Sequence, residues 1–164
     1  MQLFVSATQL ANLDFLTVSD PQCTLKVKEA NNAYAVQKNV GETEVIDNNL
    51  NPVWTKHFNV VYQFNRDREL LFQVYNFNDK TSRDLIGEAE CRLTDIVMAK
   101  DQSITLKLTI KSKPGVTRGF LKVFADSVRI TSDVIKFQIQ AKLHSKKFLC
   151  LGSDNPYLMV ERAR

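Results

Sequence analysis

Leu70-Leu-Phe-Gln-Val-Tyr-Asn-Phe-Asn-Asp-Lys-Thr-Ser-Arg-Asp-Leu-Ile-Gly-Glu88 is an alternating apolar run that enters a polar tip and returns into a second apolar run. Period-two alternation predicts a half-buried strand on each side of the tip. Between them stand Asn76, Asn78, Asp79, Thr81, Ser82 and Asp84. So many oxygen side chains form either a solvated hairpin tip, where Asn, Asp and Ser are common, or a loop held by a hard cation such as calcium, which offsets the entropy of ordering it. A second oxygen-bearing loop, Asp14-Phe-Leu-Thr-Val-Ser-Asp-Pro21, turns the reading toward the cation.

Strand patterns recur outward from that hairpin at residues 3–10, 23–28, 53–62, 69–75, 86–93, 103–110 and 120–126. A weak one near 34–38 continues into 42–46 past a kink at Gly41. Dense turn signals separate them, above all Asp47-Asn-Asn-Leu-Asn-Pro52. Residues 94–100 read as the one short helix, with Thr94 in the capping role. Eight short strands and a single helix predict an all-β, eight-stranded antiparallel β-sandwich. Loops of a sandwich gather at its ends, which would bring the 14–20 loop beside the 76–84 loop.

A length of 164 residues suits one well-buried domain plus a remnant, and 44% hydrophobic with 24% charged residues is an ordinary globular balance. No apolar run is long enough to span a bilayer, and the opening MQLFVSATQL does not read as a signal peptide. Cys23, Cys91 and Cys150 are scattered without metal-type spacing, the pattern of reduced thiols in a cytosolic protein. Residues 1–126 carry 15 Lys+Arg and 15 Asp+Glu, whereas residues 127–164 carry 7 and 3, so the tail holds the whole +4. That surplus is either a site for anionic partners or an ordinary solvated face. No catalytic residue is expected and the chain does not read as an enzyme. Its two histidines, His57 and His144, lie near no nucleophile motif, and five glycines form no phosphate-cradling loop. Nucleic acid is not an expected partner, because no sheet face interleaves cations with aromatics.

The spacing from Asp14 to Asp20, the Ser19-Asp-Pro21 turn, Leu50-Asn-Pro-Val-Trp54, and Tyr75-Asn-Phe-Asn78 leading to Asp84 and Ile86-Gly87 together resemble a C2 domain. More narrowly, the 40–52 segment, Tyr62-Gln-Phe64, Leu71-Phe-Gln-Val-Tyr75 and Gly87-Glu-Ala-Glu-Cys91 resemble the first C2 domain of the copine family. The resemblance implies a C2 domain over residues 1–126 in the permuted, type II strand arrangement. Residues 127–164 are expected to be a basic C-terminal extension of about two strands. There Ile135-Lys-Phe-Gln-Ile-Gln-Ala-Lys-Leu143 and Asn155-Pro-Tyr-Leu158 resemble the opening of a second C2 domain. Lys147 and Asn155 stand there where loop aspartates would belong. Two such strands cannot bury a core alone, so they pair with the first domain, pair with another chain as an oligomer contact, or stay mobile.

The resemblance also implies a metal site at Asp14, Asp20, Asn76, Asn78 and Asp84, with backbone carbonyls of Leu13 and Phe77. Asn76 and Asn78 replace two of the five aspartates usual in calcium-binding members. The cofactor expected is therefore Ca2+, a single weakly held ion with affinity on the order of 10⁻⁴ M or weaker. Phe15 and Leu16 are apolar neighbours on a polar loop, placed either to enter a bilayer interface or to fold back onto the sandwich end. Lys80 and Arg83 would meet anionic headgroups. Glu42 and Glu44 argue against a phosphoinositide patch on their strand. The implied function is a calcium-dependent phospholipid-binding module of copine type. It would be a cytoplasmic signalling domain recruited to anionic membranes, the plasma membrane first among them. The rival is a calcium-independent protein-interaction domain whose ion site has decayed, with protein partners instead of lipid.

Overall fold

The computed structural model describes residues 1–30, 36–63, 66–78, 82–113 and 115–126. The 127–164 extension, with the strand expected at 135–143, lies outside the described residues. Among the described residues there are eight strands: β1 (Gln2–Thr8), β2 (Pro21–Glu29), β3 (Lys38–Glu42), β4 (Phe58–Asn59), β5 (Arg68–Phe77), β6 (Arg83–Arg92), β7 (Ser103–Lys107) and β8 (Phe120–Asp126). They form two four-stranded antiparallel sheets, ordered β4-β1-β8-β7 and β3-β2-β5-β6. The last described strand, β8, lies between β1 and β7, in keeping with the type II order.

Alternation in the sequence becomes the core directly. Leu3, Val5 and Ala7 of β1 and Leu121, Val123 and Ala125 of β8 point inward from one sheet. Cys23, Leu25 and Val27 of β2 and Leu70, Phe72 and Val74 of β5 meet them from the other. Burying each large side chain contributes about 1.5–3 kcal/mol. The ring of Phe72 meets that of Phe58 edge-on at 6.4 Å between centroids.

The strand expected over 53–62 shrinks to the two residues of β4 and an isolated bridge from Val53 to Ser6. Backbone donors there are diverted. The Glu44 carboxylate accepts from the N–H groups of Thr55 and Lys56 and from the Thr55 hydroxyl. Trp54 turns inward, buried, with its indole N–H donating to Pro21 O at 3.2 Å. Among the described residues, the weak strand read near 34–38 and continuing over 42–46 is β3 alone. Beyond it, Thr43 N–H donates to Cys23 O at 2.9 Å and Ile46 N–H to Pro21 O at 3.2 Å, so the chain turns toward the sandwich end. The helix spans Leu93–Met98 (α1) and buries Leu93 and Ile96. Thr94 does not cap it. Its hydroxyl donates to Asp67 Oδ2 at 3.0 Å, and the Asp95 carboxylate accepts from Arg92 N–H at 2.9 Å as the cap.

Gly87 permits a close approach. A Cβ there would lie 3.0 Å from the Cβ of Leu108. Beside it, Glu88 and Thr109 exchange both backbone hydrogen bonds, at 2.7 and 3.0 Å, joining β6 to the segment after β7.

Two outcomes follow from this packing. Phe72→Ala should lower the unfolding free energy by about 3–5 kcal/mol in a denaturant titration. Burial alone would raise the Glu44 pKa, but the hydrogen bonds from residues 55 and 56 outweigh it and hold the pKa below its ordinary value. Its contribution is therefore present above the unfolded-state pKa and lost as pH falls through the lower folded-state value. Glu44→Gln should flatten the acid limb of a stability–pH curve in that range.

Candidate functional site

The register of β5 assembles one rim of the sandwich. Asn76 pairs with Pro21 at the start of β2 and with Asp84 at the start of β6. A β-bulge at Ile86, where Val74 faces Gly87 and Tyr75 faces Leu85, sets that second pairing. The two loops expected to meet therefore do meet, and all five side chains named from the sequence lie on one hydrogen-bonded rim.

Local sequence builds the first loop. Asn12 Oδ1 accepts from the N–H groups of Asp14 and Ser19 and from the Ser19 hydroxyl, at 3.2, 3.0 and 2.9 Å. Its amide donates to the carbonyls of Asp14 and Thr17, at 3.1 and 2.9 Å. Ser19 Oγ, fully buried, accepts from Leu13 N–H at 2.9 Å. The turn at 47–49 closes the rim. Asn48, at φ 51°, donates its N–H to Asp20 Oδ1 at 2.6 Å, and Asn49 N–H donates to Ser19 O at 3.1 Å. Asn12, Ser19 and Asn48 were not among the sequence-derived site residues. The Asn12-Leu-Asp14 spacing carries an Asx-turn signal, whereas nothing local in residues 47–52 points to Asp20.

At the centre lies Asn76, 1% exposed. Its Oδ1 accepts from Asp20 N–H at 2.7 Å. Its Nδ2 donates to Asp14 Oδ1 at 2.8 Å and to Asn78 Oδ1 at 2.9 Å. Asn78 Nδ2 in turn donates to Asp84 Oδ2 at 2.8 Å. Phe77 N–H donates to Asp20 O at 2.9 Å, tying the two loops through backbone as well.

This donor set does not fit calcium as it stands. The ion needs oxygens turned toward it, and the side chains at 76 and 78 direct N–H groups at Asp14 and Asp84. Rotating the Asn76 amide would set its Nδ2 against Asp20 N–H, donor against donor. Among the described residues no cluster of three or more His, Cys, Asp and Glu is arranged to hold a metal.

Phe15 and Leu16 are 98% and 89% exposed, so of the two arrangements open to them they take the outward one. Arg83 is committed elsewhere: its guanidinium lies 3.6 Å from Glu42 Oε2 and 4.3 Å from the centre of the Tyr75 ring. Lys80, together with Asp79 and Thr81, lies outside the described residues. His57 packs against Phe4 with the rings tilted by 36° and their centroids 5.1 Å apart, and His144 lies outside the described residues. Burial raises the pKa of both described thiols, that of Cys91 to about 12, with the Asp95 charge adding to it.

A family profile described as C2 domain matches residues 3–108. The chain is 31% identical to Copine-A of Dictyostelium discoideum over 162 residues, 99% of this chain and 26% of that protein. It is 28% identical to Nicotinic receptor-associated protein 1 of Caenorhabditis elegans, covering 99% of this chain and 29% of that one. The chain thus spans less than a third of the length of these relatives. A solved C2 domain of plant Extended Synaptotagmin 1 superposes with a TM-score of 0.57 at 24% identity, covering 74% of this chain and 89% of that domain. No helix among the described residues is long and apolar enough to cross a membrane.

Asn12→Ala should loosen the first loop without unfolding the sandwich. Amide hydrogen exchange at Asp14 and Ser19 should speed up, with a stability loss of about 1 kcal/mol.

Proposed function

The chain belongs to the C2 domain family, and on that footing we propose that it is a peripheral phospholipid-binding module of copine type which lays its 14–20 loop on the bilayer. One observation carries the reading: Phe15 and Leu16 stand almost fully exposed on a loop braced by Asn12 and Ser19. Two adjacent apolar side chains held in water on a preformed loop gain free energy by entering an interface. The copine resemblance carries calcium-dependent recruitment with it, through Asp14, Asp20 and Asp84 with the Leu13 and Phe77 carbonyls. Asn76 and Asn78 stand against that ligand set, so the proposal rests membrane contact on the apolar tip and not on an ion bridge. Residues 1–126 are the module in this reading. The basic 127–164 segment is an extension resembling the start of a second one, available for anionic surface or self-association. Recruitment would be from cytoplasm to membrane, the plasma membrane first among them.

A second reading, a protein-interaction domain, draws support from an open groove of about 620 Å³ lined by Val27, Val36, Val40 and Val61 and edged by Lys38 and Arg68. The worm relative is named for association with a receptor.

Vesicle co-sedimentation separates these readings, using phosphatidylcholine with and without phosphatidylserine, in chelator and in millimolar calcium. Sedimentation in chelator is expected. Phe15→Ser with Leu16→Ser should reduce it about tenfold or more and leave the melting temperature unchanged, since both side chains are exposed. Sedimentation in calcium alone would restore the calcium-dependent mechanism, and none under any condition would favour the protein-interaction reading.

A further inference from the structure

We propose that the amides of Asn76 and Asn78 take the place of a cation at this rim. They hold its loops in their folded arrangement without a divalent ion and leave the domain indifferent to calcium. The inference concerns the same rim as the membrane reading, but its test involves no membrane.

The argument starts from Asp20 N–H, which donates to Asn76 Oδ1 at 2.7 Å. That bond fixes which end of the buried amide faces the rim. The inward-facing end is Nδ2, and both of its hydrogens are used, on Asp14 Oδ1 and Asn78 Oδ1. The bond to Asn78 Oδ1 in turn fixes Asn78, whose oxygen must face Asn76 and whose Nδ2 therefore reaches Asp84 Oδ2. One backbone donor thus orients two amides, and the amides bridge the carboxylates of two loops. A cation at a C2 rim would supply positive charge between carboxylates of separate loops, and here N–H dipoles occupy that place. The third carboxylate, Asp20, is satisfied separately by Asn48 N–H at 2.6 Å.

The chemistry is specific to the amide. A carboxylate at 76 could still accept from Asp20 N–H with one oxygen, but its other oxygen would then face Asp14 Oδ1, acceptor against acceptor. That arrangement calls for a proton or a cation. A carboxylate at 78 would face Asp84 in the same way. An amide, with an acceptor at one end and donors at the other, closes the chain by itself.

Thermal unfolding of the full chain in chelator and in millimolar calcium tests this, with calcium titration calorimetry on the same samples. The wild-type midpoint should not move between the two conditions, and calcium should produce no binding heat. Asn76→Asp with Asn78→Asp should melt several degrees lower in chelator, recover most of that loss in calcium, and give a saturable calcium isotherm. Asn78→Asp alone, at an exposed position, provides the comparison should the buried change prevent folding. It should melt lower in chelator and be partly restored by calcium. A wild-type midpoint that rises with calcium would overturn the proposal, as would Asp variants as stable in chelator as the wild type. Because no lipid enters the readout, failure of membrane binding leaves this result standing, and the reverse also holds.

Discussion

A single backbone hydrogen bond, Asp20 N–H to the Asn76 side-chain oxygen at 2.7 Å, governs the rim of this domain. It exists because β2 and β5 pair with Pro21 opposite Asn76. Proline suits the first position of the strand, where it has no N–H to give to the ladder. The same pairing puts Trp54 under Pro21, since the indole donates to the proline carbonyl. Sandwich closure, loop position and amide orientation are therefore consequences of one register.

Polarity then decides what kind of rim it is. Two carboxylate oxygens about 3 Å apart repel by about 1.4 kcal/mol in bulk water and about 5.5 kcal/mol at an effective dielectric of ~20. Four side chains in sequence, Asp14, Asn76, Asn78 and Asp84, avoid that penalty by alternating acceptors with donors. The nearby acid Glu42 is met by Arg83, which keeps that arginine on the sheet flank. What the loop presents outward is left to Phe15 and Leu16. On the 14–20 loop two apolar side chains reach solvent above a base of hydrogen-bonded polar ones.

Much of this was legible in the chain. Alternation over 69–75 and 86–93 marked the hairpin, and β1, β2, β5, β6, β7 and β8 appear within a few residues of where the pattern placed them. The oxygen-rich loops could be named by residue, and a sandwich implied that they share an end. Two strand assignments fell short for different reasons: at residues 55 and 56 backbone donors found a side chain in place of a strand neighbour, whereas past Glu42 the chain keeps only single bonds to β2, from Thr43 and Ile46. Residues 53–57 have strand-like composition, yet Glu44, eleven residues away, captures the N–H of Thr55. Asn12, Ser19 and Asn48 were passed over because polar residues in loops look alike until their partners are known.

Sequence by itself determined the sandwich and the two oxygen-rich loops, because periodicity and residue type are properties of the chain alone. The resemblance to a C2 domain implied which residues form the rim and that Asn76 and Asn78 stand in place of carboxylates. Tertiary structure decided which way those amides face. An asparagine is donor and acceptor at once, and only the Asp20 N–H, brought across from another strand, selects the end that meets the carboxylates. The same long-range pairing settled that Arg83 turns to Glu42 and Tyr75, a choice between partners that spacing along the chain cannot make.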